Sequence, residues 1–257
     1  MGMLACVDRV EIRRCSTLTE EWSANVTVVD LPGCGHGDSQ LTKVDRSRLR
    51  RGDFASLSRR MVRSAQEVNP QLRRPGVVLV GYSLGASLAA AAAADAGLLH
   101  VGQMTLVEPV AVQRWNPLRL LQSVRAEDRA TGRAEAQYSP DHTFKPSRAD
   151  LALLGYALSR GHLTADIVRA RDIQRFGVQL VHGRESRLCT RRAAERTVQL
   201  WRRNGIEAND LLIPGRHGLW HSAAEVANVA RLTKAMMCAD IGGVAVSGSG
   251  YGSGVSV

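Results

Sequence analysis

The sequence predicts an α/β fold, in which a mostly parallel sheet is covered by helices on both faces and carries an inserted helical segment. Short apolar runs rich in valine and leucine alternate with longer segments of helical spacing, which is the pattern of parallel strands joined by helices. Loops rich in glycine or containing histidine follow several of these runs. The 257 residues are enough for one large hydrophobic core.

The elements follow one another in a regular alternation of strand and helix. A strand buried on both faces reads as a continuous apolar run, whereas a helix spaces its apolar residues by three and four. The predicted strands are Val26–Val29, Val77–Val80, Met104–Val107, Val178–Val181 and Asp210–Ile213, and the predicted helices are 13–24, 53–68, an alanine-rich buried helix through Ala94, Leu151–Leu158, Ile167–Ile173, 191–203 and 223–237.

The connection between the third and fourth predicted strands is too long for a simple crossover. It spans about 65 residues with helical periodicity, and long ordered connections are often functional. We therefore expect a core formed by residues 1–109 and 177–240, with a helical lid inserted at 110–176. Residues 241–257 are mostly glycine, serine and valine and predict a flexible tail.

The net charge of +10 and the pI near 10.1 raise the question of a nucleic-acid partner. Only three of the basic residues are lysine, and the arginines are spread over many segments. This distribution favours solvated helix faces over one binding stripe, so we do not expect nucleic acid as a partner. A steep salt dependence of DNA binding would reverse that expectation.

Composition also bears on compartment and cofactors. No apolar run is long enough for a membrane span, and the N-terminus lacks the pattern of a secretory signal, so a cytoplasmic protein is expected. The five cysteines are scattered without a C-x-x-C pair, which favours reduced thiols over a disulfide framework or a zinc site. No metal or organic cofactor is expected.

The most informative motif is the pentapeptide Gly81–Gly85, which matches G-x-S-x-G. It follows the apolar run Val77–Val80 and precedes the alanine-rich helix, so it has the strand–turn–helix context of a nucleophile elbow. The sharp turn strains the serine backbone, and larger side chains two residues to either side would collide. A serine that merely caps the helix is the alternative interpretation.

Three motifs in order resemble those of α/β-hydrolases. The loop from Asp30 to Ser39 is similar to the family's D-x-P-G-x-G-x-S loop, Gly81–Gly85 to its nucleophile elbow, and Pro214–His217 to the loop that carries its catalytic histidine. The resemblance covers residues 13–238 and implies a Ser…acid…His order along the chain. It implies a serine hydrolase that acts on an ester, thioester or amide of a small-molecule acyl substrate.

The resemblance assigns roles to residues of the elbow and the histidine loop. Ser83 would be the nucleophile and His217 the base that removes its proton. Leu84, whose backbone N–H follows the nucleophile, and Tyr82 are expected to contribute to oxyanion or substrate binding. The other histidines, considered as rival bases, are His36, His100, His142, His162, His182 and His221.

The acid that orients the histidine is open between two glutamates. Most of the family has an aspartate in a G-x-x-D pattern after its seventh strand, where this chain has Gly183-Arg184-Glu185-Ser186. Glu185 stands one residue early, and Glu108 follows the predicted strand at which other members carry the acid. The sequence favours Glu108, since Gly-x-x-Ser resembles hydrolases whose acid has moved to that strand. A surface ion pair with Arg184 or Arg187 is the alternative role for Glu185.

One departure from the family pattern supports a second hypothesis. The family has a His-Gly motif after its third strand, and the following loop supplies another oxyanion N–H; no such motif precedes residue 13. Loss of one oxyanion donor costs about 10²- to 10³-fold in rate. A catalytically weak or inactive homologue with a binding role is therefore the alternative function. The expected assembly is a monomer or homodimer.

Overall fold

The computed structural model of the chain describes residues 9–32, 40–135 and 147–244. Within them the fold is a single four-stranded parallel sheet with helices on both faces. Its strands are β1 (Val77–Tyr82), β2 (Val101–Val107), β3 (Gly177–Gly183) and β4 (Glu207–Ile213), and its helices are α1 (Arg9–Trp22), α2 (Lys43–Leu49), α3 (Ala55–Val68), α4 (Leu84–Ala93), α5 (Pro117–Glu135), α6 (Arg148–Ser159), α7 (Leu163–Ile173), α8 (Arg191–Arg203) and α9 (Ala223–Val244).

The strands lie side by side in chain order, so every strand-to-strand connection is a crossover that carries at least one helix. Tyr82 is paired with Val107, Val107 with Val181, and Val181 with Leu211. This register brings the carboxyl ends of all four strands to one edge of the sheet. The loops that follow them therefore meet there, which is the usual place for a site in a parallel sheet.

The alternation of side chains along the strands divides the core into two layers. Leu106 and Leu180 belong to the layer that includes α4, α7 and α8, whereas their neighbours Val107 and Val181 belong to the layer with α1 and α9. All four side chains are fully buried. Successive valine and leucine residues of a strand therefore pack on opposite faces of the sheet, and both faces are buried, as the continuous apolar runs predict.

Helix α4 is buried along its whole length, as the sequence predicts for its alanine run. It packs against β1 on one side and against α3 and α7 on the others. Alanine has no side chain beyond Cβ, so three elements can approach this helix closely, and it has the highest helix propensity. The helix that follows Ser83 is therefore held rigidly in the core.

The prediction of a strand at Val26–Val29 is wrong. These residues lie in no strand and are only partly buried, and within the described part of the chain the one strand that pairs with β1 is β2. The side chains of Val77–Val80, expected to be buried, are also partly exposed. An open trough of about 490 Å³ lies between the two apolar segments, with Leu18 and Trp22 of α1 on its wall. A β-strand is stabilised by backbone hydrogen bonds to a neighbouring strand. Across this trough, the described residues give Val26–Val29 no strand to pair with.

Other differences concern the ends and number of elements. Helices α2 and α5 lie where no helix is predicted, and β2, β3 and β4 begin three, one and three residues earlier than predicted. Helix α9 continues to Val244, so the predicted tail cannot begin at 241; Gly242 and Gly243 lower helix stability without forbidding helical backbone. The rest of the predicted tail and most of the loop from Asp30 to Ser39 lie outside the described residues. No described helix is both long and apolar enough to cross a bilayer.

Candidate active site

Ser83 occupies the sharp turn between β1 and α4. Its backbone has φ 54° and ψ −114°, a strained conformation for a residue with a side chain. Its side chain makes no capping hydrogen bond to α4, so the capping role considered for this serine has no support in the structure. A Cβ added at Gly81 would lie 2.5 Å from the Gly85 carbonyl oxygen, which explains why the residue before this turn is glycine.

Three side chains from three different loops meet above the carboxyl ends of β1, β2 and β4. Ser83 Oγ lies 3.0 Å from Nε2 of His217, and Nδ1 of the same ring lies 3.0 Å from Oε2 of Glu108. All three residues are buried, with relative exposures of 1%, 8% and 0% for Ser83, His217 and Glu108. The carboxylate accepts from Nδ1–H, so Nε2 is left as the acceptor that faces the serine hydroxyl.

Glu108 follows β2 and has a left-handed backbone with φ 51°. Its N–H donates to the Val181 carbonyl at 2.7 Å, which holds the turn against β3. The Gly183 N–H donates to Oε1, and the Ser186 hydroxyl donates to Oε2 at 2.5 Å. A buried carboxylate needs such donors to remain ionised. Glu108 therefore faces His217 with donors on both of its oxygens.

Glu185 lies elsewhere. Its side chain is 60% exposed, and Oε2 is 3.5 Å from Nε of Arg216. Its backbone N–H donates to the Gly215 carbonyl at 2.9 Å, so the residue helps to join two loops. The structure brings Glu108, and not Glu185, into contact with the His217 ring. Glu185 does form a surface ion pair, but its partner is Arg216 and not Arg184 or Arg187, as the sequence suggested.

The histidine loop is held from two sides. The Tyr82 hydroxyl donates to the His217 carbonyl at 2.8 Å, and its ring lies 5.4 Å from the imidazole, centroid to centroid. On the other side, a Cβ added at Gly183 would lie 2.5 Å from the Gly215 carbonyl oxygen, so only glycine allows this approach of β3 to the loop. Tyr82, expected near an oxyanion or substrate, has its hydroxyl engaged by the His217 backbone.

Leu84 begins α4 directly after Ser83. The N–H groups of the first helical turn have no acceptor within the helix. The positive end of the helix dipole adds to the attraction for negative charge at this point. The Leu84 N–H is therefore available to an oxygen that develops charge beside Ser83. The loop 33–39, the other segment of family interest, lies outside the described residues.

Two further groups with shifted pKa values lie beneath the site. Burial lowers the pKa of His182, whose ring nitrogens have no hydrogen-bond partner among the described residues; its Nε2 is 3.8 Å from an Asp210 oxygen. Burial also raises the pKa of the Cys189 thiol, and the Glu108 charge adds to this. Both shifts favour the uncharged form of the group. Neither is a rival to His217 or Ser83.

Ser186 belongs to the site through its hydrogen bond to Glu108, but the sequence did not identify it as a functional residue. Its position was notable only because the family places an aspartate there. The signal was present in Gly183-Arg184-Glu185-Ser186, where a hydroxyl replaces a carboxylate. Among the described residues no three His, Cys, Asp or Glu side chains are grouped so as to hold a metal ion.

Comparisons with known proteins agree with this fold. The sequence model of the alpha/beta hydrolase family matches residues 13–229, which is most of the chain. The chain therefore belongs to the alpha/beta hydrolase family. No curated protein matches it in sequence.

Solved structures resemble the chain at low sequence identity. An E-2-(acetamidomethylene)succinate hydrolase has 20% identity, a TM-score of 0.52 and covers 86% of each chain. An esterase from Exiguobacterium antarcticum has 18% identity and a TM-score of 0.52, over 93% of this chain and 90% of its own. A bromoperoxidase from Bacillus anthracis has 16% identity and a TM-score of 0.54, again over 93% and 90%. These likenesses show the fold.

Proposed function

We propose that the protein is a serine hydrolase that cleaves an ester, thioester or amide through an acyl-enzyme. The observation that carries the proposal is the buried chain from Ser83 Oγ through the His217 ring to the Glu108 carboxylate, with both links at 3.0 Å. Nucleophile, base and orienting acid within hydrogen-bond reach are what this chemistry requires.

In the proposed reaction, Ser83 Oγ attacks the acyl carbon while His217 Nε2 takes the hydroxyl proton. Glu108 stays ionised and stabilises the imidazolium through Nδ1–H. The Leu84 N–H donates to the carbonyl oxygen as it becomes negative. His217 then protonates the leaving group, and the acyl group remains on Ser83. A water molecule, deprotonated by His217, attacks this acyl-enzyme and releases the acid.

Glu108 is the acid we assign, and Glu185 is not needed. The imidazolium forms in a buried place, where a nearby anion has its largest effect. Glu108 is fully buried beside Nδ1, whereas Glu185 points to solvent. Ser83 is only 1% exposed, and we propose residues 110–176 as a lid over the site.

The test is labelling by a fluorophosphonate probe, which reacts only with an activated serine. We expect wild-type labelling to be lost in Ser83→Ala and His217→Ala. Ser87→Ala is the matched control, because Ser87 is a buried serine one turn further along α4. Labelling of Ser83→Ala at the wild-type rate would contradict the proposal.

A folded wild-type protein that resists the probe would favour the alternative, an inactive homologue with a binding role. The observation behind this alternative is that the described residues provide one oxyanion donor, the Leu84 N–H. Thermal unfolding of the same samples tells an inactive folded protein from an unfolded one. A screen of ester and thioester substrates follows only if labelling succeeds.

A further inference from the structure

We infer that Ser186 is a positioning residue that fixes the Glu108 carboxylate in the orientation in which it meets His217. This inference rests on the proposed function of Ser83, His217 and Glu108. It assigns a role in the reaction to a residue that is outside the nucleophile–base–acid set. The argument comes from the hydrogen bonds of one hydroxyl group.

The direction of the Ser186 hydroxyl is determined by its two neighbours. A serine hydroxyl has one proton to donate and accepts through its lone pairs. Ser186 Oγ accepts from the Cys189 N–H at 3.1 Å, and an ionised carboxylate can only accept. The hydroxyl proton therefore points at Oε2 of Glu108, the same oxygen that faces His217.

The Glu108 carboxylate needs such a donor. Rotation about the last side-chain bond of a glutamate is nearly free, with broad preferred angles. The Gly183 N–H holds one oxygen and the Ser186 hydroxyl holds the other, so together they fix the plane of the group. Without Ser186, only the Gly183 N–H and His217 itself would set this plane. The imidazole would then meet a carboxylate of less defined direction.

The loop that carries Ser186 is in turn held by α5. The Arg187 N–H donates to Oε1 of Glu127 at 2.8 Å, and Glu127 is 2% exposed. The Ser186 N–H donates to the Gly183 carbonyl at 3.2 Å, which closes the turn after β3. The position of the hydroxyl therefore depends both on β3 and on a helix of the 110–176 segment.

The kinetic test compares Ser186→Ala with Ser186→Thr, which keeps a hydroxyl. A lost hydrogen bond to a charged group predicts that kcat for a p-nitrophenyl ester falls about 10- to 100-fold in Ser186→Ala. KM should be unchanged, because Ser186 is buried and its hydroxyl is occupied by Glu108 and the Cys189 N–H, and Ser186→Thr should recover most of the rate. Ser58→Ala is the matched control, since Ser58 is a buried serine whose hydroxyl bonds the Leu88 carbonyl away from the site.

A spectroscopic readout makes the test independent of turnover. The His217 Nδ1 proton that bonds Glu108 should give a far-downfield proton NMR signal, assigned by its loss in His217→Ala. We expect the signal to move or broaden in Ser186→Ala and to keep its position in Ser186→Thr and Ser58→Ala. Wild-type kcat and an unmoved signal in Ser186→Ala would overturn the inference. A moved signal in a protein that the probe does not label would support it while removing the proposed hydrolase function.

Discussion

The two ends of strand β1 differ sharply in how completely the structure surrounds them. At the carboxyl end, Gly81 and Tyr82 are buried, and Ser83, His217 and Glu108 are joined by hydrogen bonds. Along the first four residues, Val77–Val80, the side chains are partly exposed and face an open trough. The carboxyl end of β1 is thus more completely packed than the edge formed by its first four residues.

The difference indicates which parts of the fold should tolerate substitutions. The turn at Ser83 is held by α4, by β2 and by the histidine loop, and of these three only the histidine loop reaches the trough, through Trp220. An apolar edge beside a trough is a liability for solubility and pairing, but it need not disturb the turn. We therefore expect substitutions at the site to abolish activity and substitutions along the edge to affect stability weakly.

The largest expected effect is the difference in kcat between variants of the two glutamates, Glu108 and Glu185. Glu108→Gln should lower kcat by about 10³- to 10⁴-fold, because a neutral amide cannot stabilise the imidazolium. Glu185→Gln should leave kcat unchanged, since its side chain is paired with Arg216 in solvent. Steady-state ester hydrolysis measures both. Equal activity of the two variants would show that Glu108 does not act as the acid.

The next effect concerns the elbow itself. Gly81→Ala places a Cβ 2.5 Å from the Gly85 carbonyl oxygen and 2.7 Å from backbone atoms of Ala86. We expect a loss of about 3 kcal/mol or more in the free energy of unfolding, because only backbone could move. Gly155→Ala is the control: its Cβ would meet nothing within 4 Å inside helix α6, so it should stabilise by about 0.5–1 kcal/mol. Urea unfolding of both variants measures the contrast, and a neutral Gly81→Ala would contradict it.

Much of this architecture was predictable from the sequence. Apolar runs and the alanine-rich helix defined the sheet and α4, because burial on both faces leaves a continuous signal. The run Val26–Val29 has the same continuous apolar pattern, but the strand predicted from it is not formed. The pattern indicates a tendency to form a strand and not the presence of a strand to pair with.

The site was predictable in part. Motif order indicated Ser83 and His217 but left the acid open between Glu108 and Glu185, with Glu108 favoured; in the structure Glu108 is the one that meets His217. The serine of the Gly183–Ser186 motif was a signal for Ser186, but its hydrogen bond to Glu108 could not be predicted, because it depends on the approach of the Gly183 turn to the end of β2. Sequence spacing contains no information on that approach.

A matched pair of valines sharpens the comparison of core and edge. Val178 on β3 is 1% exposed, whereas Val78 on β1 is partly exposed beside the trough. Val178→Ala should cost about 2 kcal/mol of unfolding free energy, through lost burial and a cavity. Val78→Ala should cost about 0.5 kcal/mol, because its methyl groups already contact solvent. If thermal and urea unfolding give equal costs, the trough is closed in solution.

The last expected effect is a pH-dependent change in stability at Asp166, a buried carboxylate outside the site. It tests whether Asp166 lacks the hydrogen-bond donors that Glu108 has. Asp166 on α7 has a side chain that is 11% exposed, with the Arg169 guanidinium 3.4 Å away. Burial raises the pKa of Asp166 to about 6, so the folded state holds its proton more tightly than the unfolded state, whose value is near 3.8. This contribution to stability is present below pH 3.8 and is lost as the pH rises through 6.

Asp166→Asn mimics the protonated form at every pH. It should therefore stabilise the protein by about 1–2 kcal/mol at pH 8 and leave stability near pH 4 unchanged. Asp150→Asn is the opposite control, because a hydrogen bond from Arg46 lowers the pKa of Asp150 and its contribution is lost as the pH falls. Urea unfolding at the two pH values measures both variants. If Asp166→Asn destabilises the protein at pH 8, the ion pair with Arg169 outweighs the burial of the charge, and Asp166 resembles Glu108 more than the present comparison implies.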